Sequence, residues 1–195
     1  MKRLRHCLLL LSLVHSLYAQ PKLARLGPFE LGVTTPDSVH WFAFREQELV
    51  VVKGTLALPC ATIRVLKADT VHLPGLAVTN VALVFYENRL FRITCDYKDR
   101  LQQKFTEQHG KGRAEPPKTL LVCEEQPARR LTLERASWQQ GDVRALTVRA
   151  TGYNAQCRPE QTARLTITNQ RIAAITSECD LEHLDPYGQK SWRER

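Results

Sequence analysis

Two β-rich runs, Val81–Tyr86 (VALVFY) and Arg89–Cys95 (RLFRITC), stand only two residues apart in the 195-residue chain, which is hairpin spacing. With Glu87 and Asn88 as the turn, Phe85 falls opposite Leu90 and Val84 opposite Phe91. Apolar side chains then occupy both faces, which predicts a central hairpin covered on each side. The period changes directly afterwards: Tyr97, Leu101 and Phe105 recur every fourth residue among polar neighbours, as one face of a helix does. Asp96 is placed to cap that helix, Asp99 lies at its positive end and Gly110 offers the stop.

Taken in order, Thr35-Pro36-Asp37 has the form of a helix start. It predicts a short helix carrying Val39, Phe42 and Ala43 inward, completed by Trp41 and Phe44 and ending near Glu46 to Glu48. Leu49 to Leu76 is rich in Val, Leu, Ile and Thr, with Gly54, Pro59 and Gly75 as punctuation, and predicts two or three strands. Gly110 to Pro117 reads as a polar connector, Lys118–Cys123 and Leu131–Trp138 as strands with a turn at Gln140-Gly141-Asp142. Leu146, Val148 and Ala150 alternate with polar residues, as do Ala163, Leu165 and Ile167, the pattern of strands wet on one face. The consistent pairing sets Val148 against Leu165, Ala150 against Ala163 and Leu146 against Ile167. Arg171–Ile175 fits a strand or a short helix, the strand being favoured.

The predicted fold class is therefore α+β, a mostly antiparallel sheet with two short-to-medium helices. Its order allows two helix-then-meander units, residues 20–95 and 96–180, followed by a polar, disordered tail over 181–195. The residues of the two halves do not visibly repeat.

Composition adds a compartment. Lys2, Arg3 and Arg5, the apolar stretch Cys7–Val14 and the small Ala19 make residues 1–19 a signal peptide, too short in its apolar part to span a bilayer. No later run has the length or apolarity of a membrane helix, so the mature chain is expected to be exported and soluble. Losing three positive charges lowers the formal balance from +8 to +5. The scattered arginines lack the clustering and interleaved aromatics of a nucleic-acid surface, and none is expected as partner. Cys60, Cys95, Cys123, Cys157 and Cys179 remain, an odd count in an oxidising compartment. The strand pairing brings Cys179 near Cys157, with Cys95–Cys123 as the second bond and Cys60 as the free, buried thiol.

Phe29-Glu-Leu-Gly-Val-Thr-Thr-Pro-Asp-Ser-Val39 resembles the helix-opening segment of small exported bacterial proteins of the BamE/SmpA type. It departs from them in having no lipid-attachment cysteine and no glycine and proline after the helix. Tandem helix-plus-sheet units of this shape are also used by secreted β-lactamase inhibitor proteins, an analogy of architecture. The resemblance implies an exported module and carries over no functional residue.

Candidate chemistry is sparse. His40, His72, His109 and His183 stand alone, without a second ligand at metal-binding spacing, and phosphate loops, Cys-x-x-Cys and Gly-x-Ser-x-Gly are missing from the sequence. No catalytic, cofactor or metal residue is assigned. The one oddity is Arg149 opposite Arg164 in the pairing above, a like-charge pair that would suit an anion or an acidic partner. Two function classes follow: a non-catalytic binding or envelope-associated module recognising a protein or envelope component, favoured here, and a hydrolase whose residues converge only in three dimensions.

Overall fold

The computed structural model describes residues 22–39, 43–47, 60–123 and 129–177, together with Cys179, Leu181, Leu184 and Tyr187. The proposed signal peptide, His40, Trp41, Phe42, His183 and the stretch 48–59 lie outside the described residues. A small ladder of β1 (Arg25–Leu26) and β2 (Phe29–Glu30) comes first. Four strands, β3 (Arg45–Gln47), β4 (Ile63–Leu73), β5 (Leu76–Tyr86) and β6 (Arg89–Asp96), then form a meander. After helix α1 (Asp99–His109) comes a second meander of β7 (Arg113–Leu121), β8 (Arg130–Gln140), β9 (Val143–Tyr153) and β10 (Pro159–Asn169), closed by helix α2 (Gln170–Ile175). The last strands of the two meanders pair with each other, giving one antiparallel sheet of eight strands in the order β3-β4-β5-β6-β10-β9-β8-β7. The protein is thus mostly antiparallel sheet with two helices, more sheet-dominated than the sequence suggested.

The β5–β6 hairpin is where the pattern placed it. Glu87 and Asn88 both have positive φ (49° and 59°), the turn geometry whose twist suits two flanking strands. Phe85 pairs with Leu90 as expected, but Val84 faces Arg92, because a bulge makes Phe91 an extra residue in β6. The bulge sends Phe91 to one face beside Ile63, Val65 and Val84, while Phe85, Leu90 and Ile93 pack on the other. Full burial of each such side chain is worth about 1.5–3 kcal/mol, so both faces contribute to holding the strand centrally.

Those two faces explain the main error in the predicted pairing. Val148 is opposite Arg164 and Thr147 opposite Leu165, one residue away from the expected register, and a one-residue slip moves a strand's side chains to the other face. Leu165 and Ile167 of β10 point to the face covered by α1, the helix face. Val148 and Ala150 of β9 point to the opposite face, with Leu131 and Leu133 of β8. Each strand alternates, but neighbouring strands bury their apolar sets on different sides.

Helix α1 seats Leu101 and Phe105 beside Tyr97 in the helix-face core, and Gly110 ends it with φ 74°. The N-terminal segment covers the rest of that core through Leu26, Phe29 and Val39. Thr35 and Ser38 exchange backbone and side-chain hydrogen bonds as a cap should, but the described segment is a 3-10 turn, Asp37–Val39. Arg45–Gln47 is a strand on β4, not the end of a helix, held by a two-pronged Arg64–Glu46 ion pair at 2.8 and 2.9 Å. The polar connector before Lys118 belongs to β7, where Pro116 and Pro117 sit in a bulge of the edge strand; prolines are tolerated there because no outer neighbour needs their N–H groups.

At the C-terminus, Asn169 accepts a hydrogen bond from the Ile172 N–H and starts a helix, so Arg171–Ile175 is not a final strand. Beyond it Leu184 is 3% exposed beside Leu181 in the opposite-face core, and the Tyr187 carbonyl accepts from Arg135 at 3.1 Å; at these positions the predicted free tail is tied to the sheet. The helix also removes the register on which the Cys157–Cys179 bond rested. The disulfides are Cys60–Cys179 and Cys123–Cys157, and Cys95, not Cys60, is the free thiol. Cys95 lies near the end of β6 opposite Leu165, with three strands between β6 and the edge strand β7 that Cys123 follows.

Burial pushes the Cys95 thiol up to about 12, leaving it without the thiolate that reagents attack. Non-reducing peptide mapping is expected to recover the 60–179 and 123–157 bonds. Cys95 should resist thiol labelling until the protein is denatured, and rapid labelling of native Cys95 would show that the helix-face core is misplaced.

Candidate functional site

The end of β6 carries the most heavily bonded polar group of the described residues. Asp96 was expected to cap α1, but the cap position is Lys98, which makes no side-chain cap bond. Asp96 points to the opposite face instead. Its Oδ2 accepts from Thr79 Oγ1 and Asn80 Nδ2, each at 2.8 Å, and lies 3.1 Å from Lys98 Nζ. Its Oδ1 lies 3.3 Å from Nη1 of Arg164, its partner across the β6–β10 ladder.

Burial alone would raise the Asp96 pKa, and several kcal/mol are at stake when a carboxylate leaves water. Hydrogen bonds from Thr79, Lys98 and Asn80 act the other way and prevail, holding the carboxyl below its usual range. Hydrogen bonds to a charged group contribute roughly 1.5–3 kcal/mol each, so this set suffices to keep a half-buried anion ionised. Arg164 is fixed in turn: Nη2 reaches the Asn80 carbonyl at 3.5 Å, and Nε is buried without a partner.

Beside this cluster the opposite face opens into a cleft of about 560 Å³. Lys67, Asp69, Asn80 and Ala82 line it from the first meander; Asn154, Glu160, Thr162 and Arg164 from the second; Leu131, Val122, Leu184 and Tyr187 supply apolar wall. The loop from Asn154 to Arg158 is a rigid part of that lining. Asn154 Oδ1 accepts from the Gln156 and Arg158 N–H groups at 3.0 and 3.1 Å, and its Nδ2 donates to Glu160 at 3.2 Å. Cys157 bonds the loop to Cys123, and Arg129, stacked over Tyr153, donates to its carbonyl.

Lys67 is the exception. Among the described residues no hydrogen bond or ion pair engages it, and burial, with the nearby Arg164 charge, pushes its pKa down. Burial, with the nearby Glu160 charge, pushes the pKa of Tyr187 up.

The two arginines singled out from the sequence are not neighbours. Arg149 faces Ala163 and turns to the helix face, where it reaches Gln102 of α1 at 3.5 Å in a groove beside Trp138. Arg164 faces Val148 and enters the cleft. The like-charge pair is an artefact of the slipped register. Of the histidines, His72 is exposed and His109 packs against Phe105. Among the described residues no cluster of His, Cys, Asp and Glu could hold a metal, and no helix is long and apolar enough to cross a membrane. Lys67, Asn80 and Asn154 were missed because each matters only through partners distant in sequence; Asp96 was seen and given the wrong task.

Compared with known protein families, curated proteins and solved structures, the chain matches none of them.

A carboxylate whose folded pKa lies below its unfolded value stabilises the fold above the unfolded pKa and loses that contribution as pH falls through the folded one. Asp96→Asn is therefore expected to cost about 1–3 kcal/mol at pH 7, and the gap to wild type should be smaller at pH 3, where the carboxylate begins to protonate. Urea unfolding at the two pH values checks this, and an equal gap at both would show that the Asp96 charge is not what the cluster needs.

Proposed function

We propose that this protein is an exported, non-catalytic binding module whose ligand occupies the opposite-face cleft. The observation that carries this reading is a cavity whose polar groups hold one another in place, with Lys67 left over among the described residues. Small-ligand sites are commonly clefts of about 300–1,000 Å³ with apolar lining and a few placed polar groups, and this cleft has that size and mixture. Asp96, ionised and saturated with donors, is suited to orienting Arg164, whereas a general acid or base needs a pKa near the working pH. That weighs against the hydrolase alternative.

Export is supported by the leader pattern in residues 1–19 and by two disulfides, bonds that persist in oxidising compartments. We further read the two meanders as two units meeting at β6–β10, the first opened by the 3-10 turn and the second by α1, an arrangement that puts the cleft over their seam. The partner class that fits is an envelope component or small molecule reaching the open side of the sheet.

Native mass spectrometry of protein recovered from its source tests the reading. The mature chain is expected to start at or near Gln20 and to carry a bound small molecule, which Thr162→Trp, a plug from an exposed position on the cleft wall, should displace. Protein that retains Met1 to Ala19, carries no ligand, or keeps its ligand in the plugged variant would overturn it.

A further inference from the structure

The two cations lining the cleft, Lys67 and Arg164, are unequally bonded among the described residues. Arg164 has Asp96, but both Asp96 oxygens are already engaged, Oδ2 by Thr79, Asn80 and Lys98 and Oδ1 by Arg164 itself. None of these contacts is to Lys67. Lys67 stands opposite Ala82 on the cleft floor, a residue that offers no counter-charge. Glu160 is bonded to Asn154 at the far end of the lining, four residues along β10 from Arg164, or about 13 Å at the rise of a strand. Asp69 is exposed, where water screens its charge. Among the described residues Lys67 thus has no hydrogen-bond or ion-pair partner, in a cleft whose lining also includes Leu131, Val122 and Leu184.

We infer that Lys67 and Arg164 form the head-group site of this cleft, and that its ligand is a small amphiphile bearing a single carboxylate, whose apolar body lies along Leu131, Val122 and Leu184. This rests on the reading of the cleft as a binding site and goes further by naming the ligand's chemistry. A carboxylate between Lys67 Nζ and Arg164 Nη2 would supply the acceptor both lack, since Nη2 has only its 3.5 Å bond to Asn80. Charge-assisted hydrogen bonds of this kind are roughly twice as strong as neutral ones. One carboxylate matches the two donors, since each of its oxygens can accept from one of the two cations. Burial and, after it, the neighbouring Arg164 charge lower the pKa of Lys67.

Titration of the mature protein with octanoate, followed by amide shifts in proton–nitrogen NMR spectra, tests the assignment, with octanamide, acetate and octyl phosphate as the other arms. Octanoate should give saturable shifts at Lys67, Asn80 and Arg164. Octanamide, which keeps the tail and loses the charge, should bind at least about tenfold more weakly, as should acetate, which keeps the charge and loses the tail. Lys67→Gln should weaken octanoate about tenfold and octanamide far less; Lys67 is partly buried and makes no hydrogen bond or ion pair among the described residues, so this variant is expected to fold as wild type does. Equal affinity for octanoate and octanamide, equal affinity of wild type and Lys67→Gln, tighter binding of octyl phosphate, or shifts confined to exposed apolar positions such as Leu121 would each overturn it. If octanoate fails while source protein carries a neutral or cationic ligand displaced by Thr162→Trp, the carboxylate assignment falls and the binding-module reading stands; if source protein also carries no ligand, both fall.

Discussion

The pairing of β6 with β10 is the contact on which the molecule depends. It joins the end of one meander to the end of the other, and it runs from Thr168 opposite Arg92 to Arg164 opposite Asp96. A strand pair in the middle of a sheet has no water to fall back on for its backbone groups, so its ladder must be complete. Its side chains must also satisfy two different surroundings. On the helix face Ile93, Cys95, Leu165 and Ile167 meet Leu101 and Phe105 of α1; on the other face the same strands present Arg92, Thr94, Asp96, Arg164 and Thr166. The seam is apolar on one side and polar on the other.

That polar side has a functional consequence. A sheet with one uniformly apolar second face would need a complete cover. Here two separate apolar patches, around Phe91 and Val84 and around Leu133 and Val148, flank the polar seam, and Leu184 and Tyr187 of the C-terminal segment join one patch each. The cleft lies where cover and seam meet. The Cys60–Cys179 bond, 119 residues apart in sequence, fixes the start of that segment to the beginning of β4, and Cys123–Cys157 fixes the loop that forms the far wall. Both disulfides therefore brace the margins of the cleft, while the helix-face core is held by packing and by hydrogen bonds such as those from Gly32 N–H to the Leu90 carbonyl and from Leu90 N–H to the Thr34 carbonyl.

Legibility followed from how local each signal was. The β5–β6 hairpin and α1 were readable because the turn at Glu87-Asn88 and the spacing of Tyr97, Leu101 and Phe105 lie within a few residues. The Phe91 bulge was not, since nothing in RLFRITC distinguishes it from a regular strand. The β9–β10 register failed for a related reason: alternation locates a strand's apolar side but does not say which side of the sheet that is, and matching apolar to apolar assumes one wet face. Here both faces are covered. Asn169 as a helix start was concealed by a β-like ILE/ALA run after it, and that single error carried the disulfide assignment with it. The cleft was not readable at all, because Lys67, Asn80, Asn154 and Arg164 come from four strands or loops of two meanders, and the Arg149–Arg164 pair that drew attention dissolved once the register moved by one.

Everything said of the cleft, the carboxylate cluster and the buried thiol depends on how β6 and β10 are aligned. Backbone proton NOEs across that strand pair measure the alignment most directly. The structure requires contacts between Ile93 and Ile167 and between Cys95 and Leu165, continuing to Asp96 and Arg164. Contacts shifted by one residue, or none between the two strands, would contradict it and take the cleft with them.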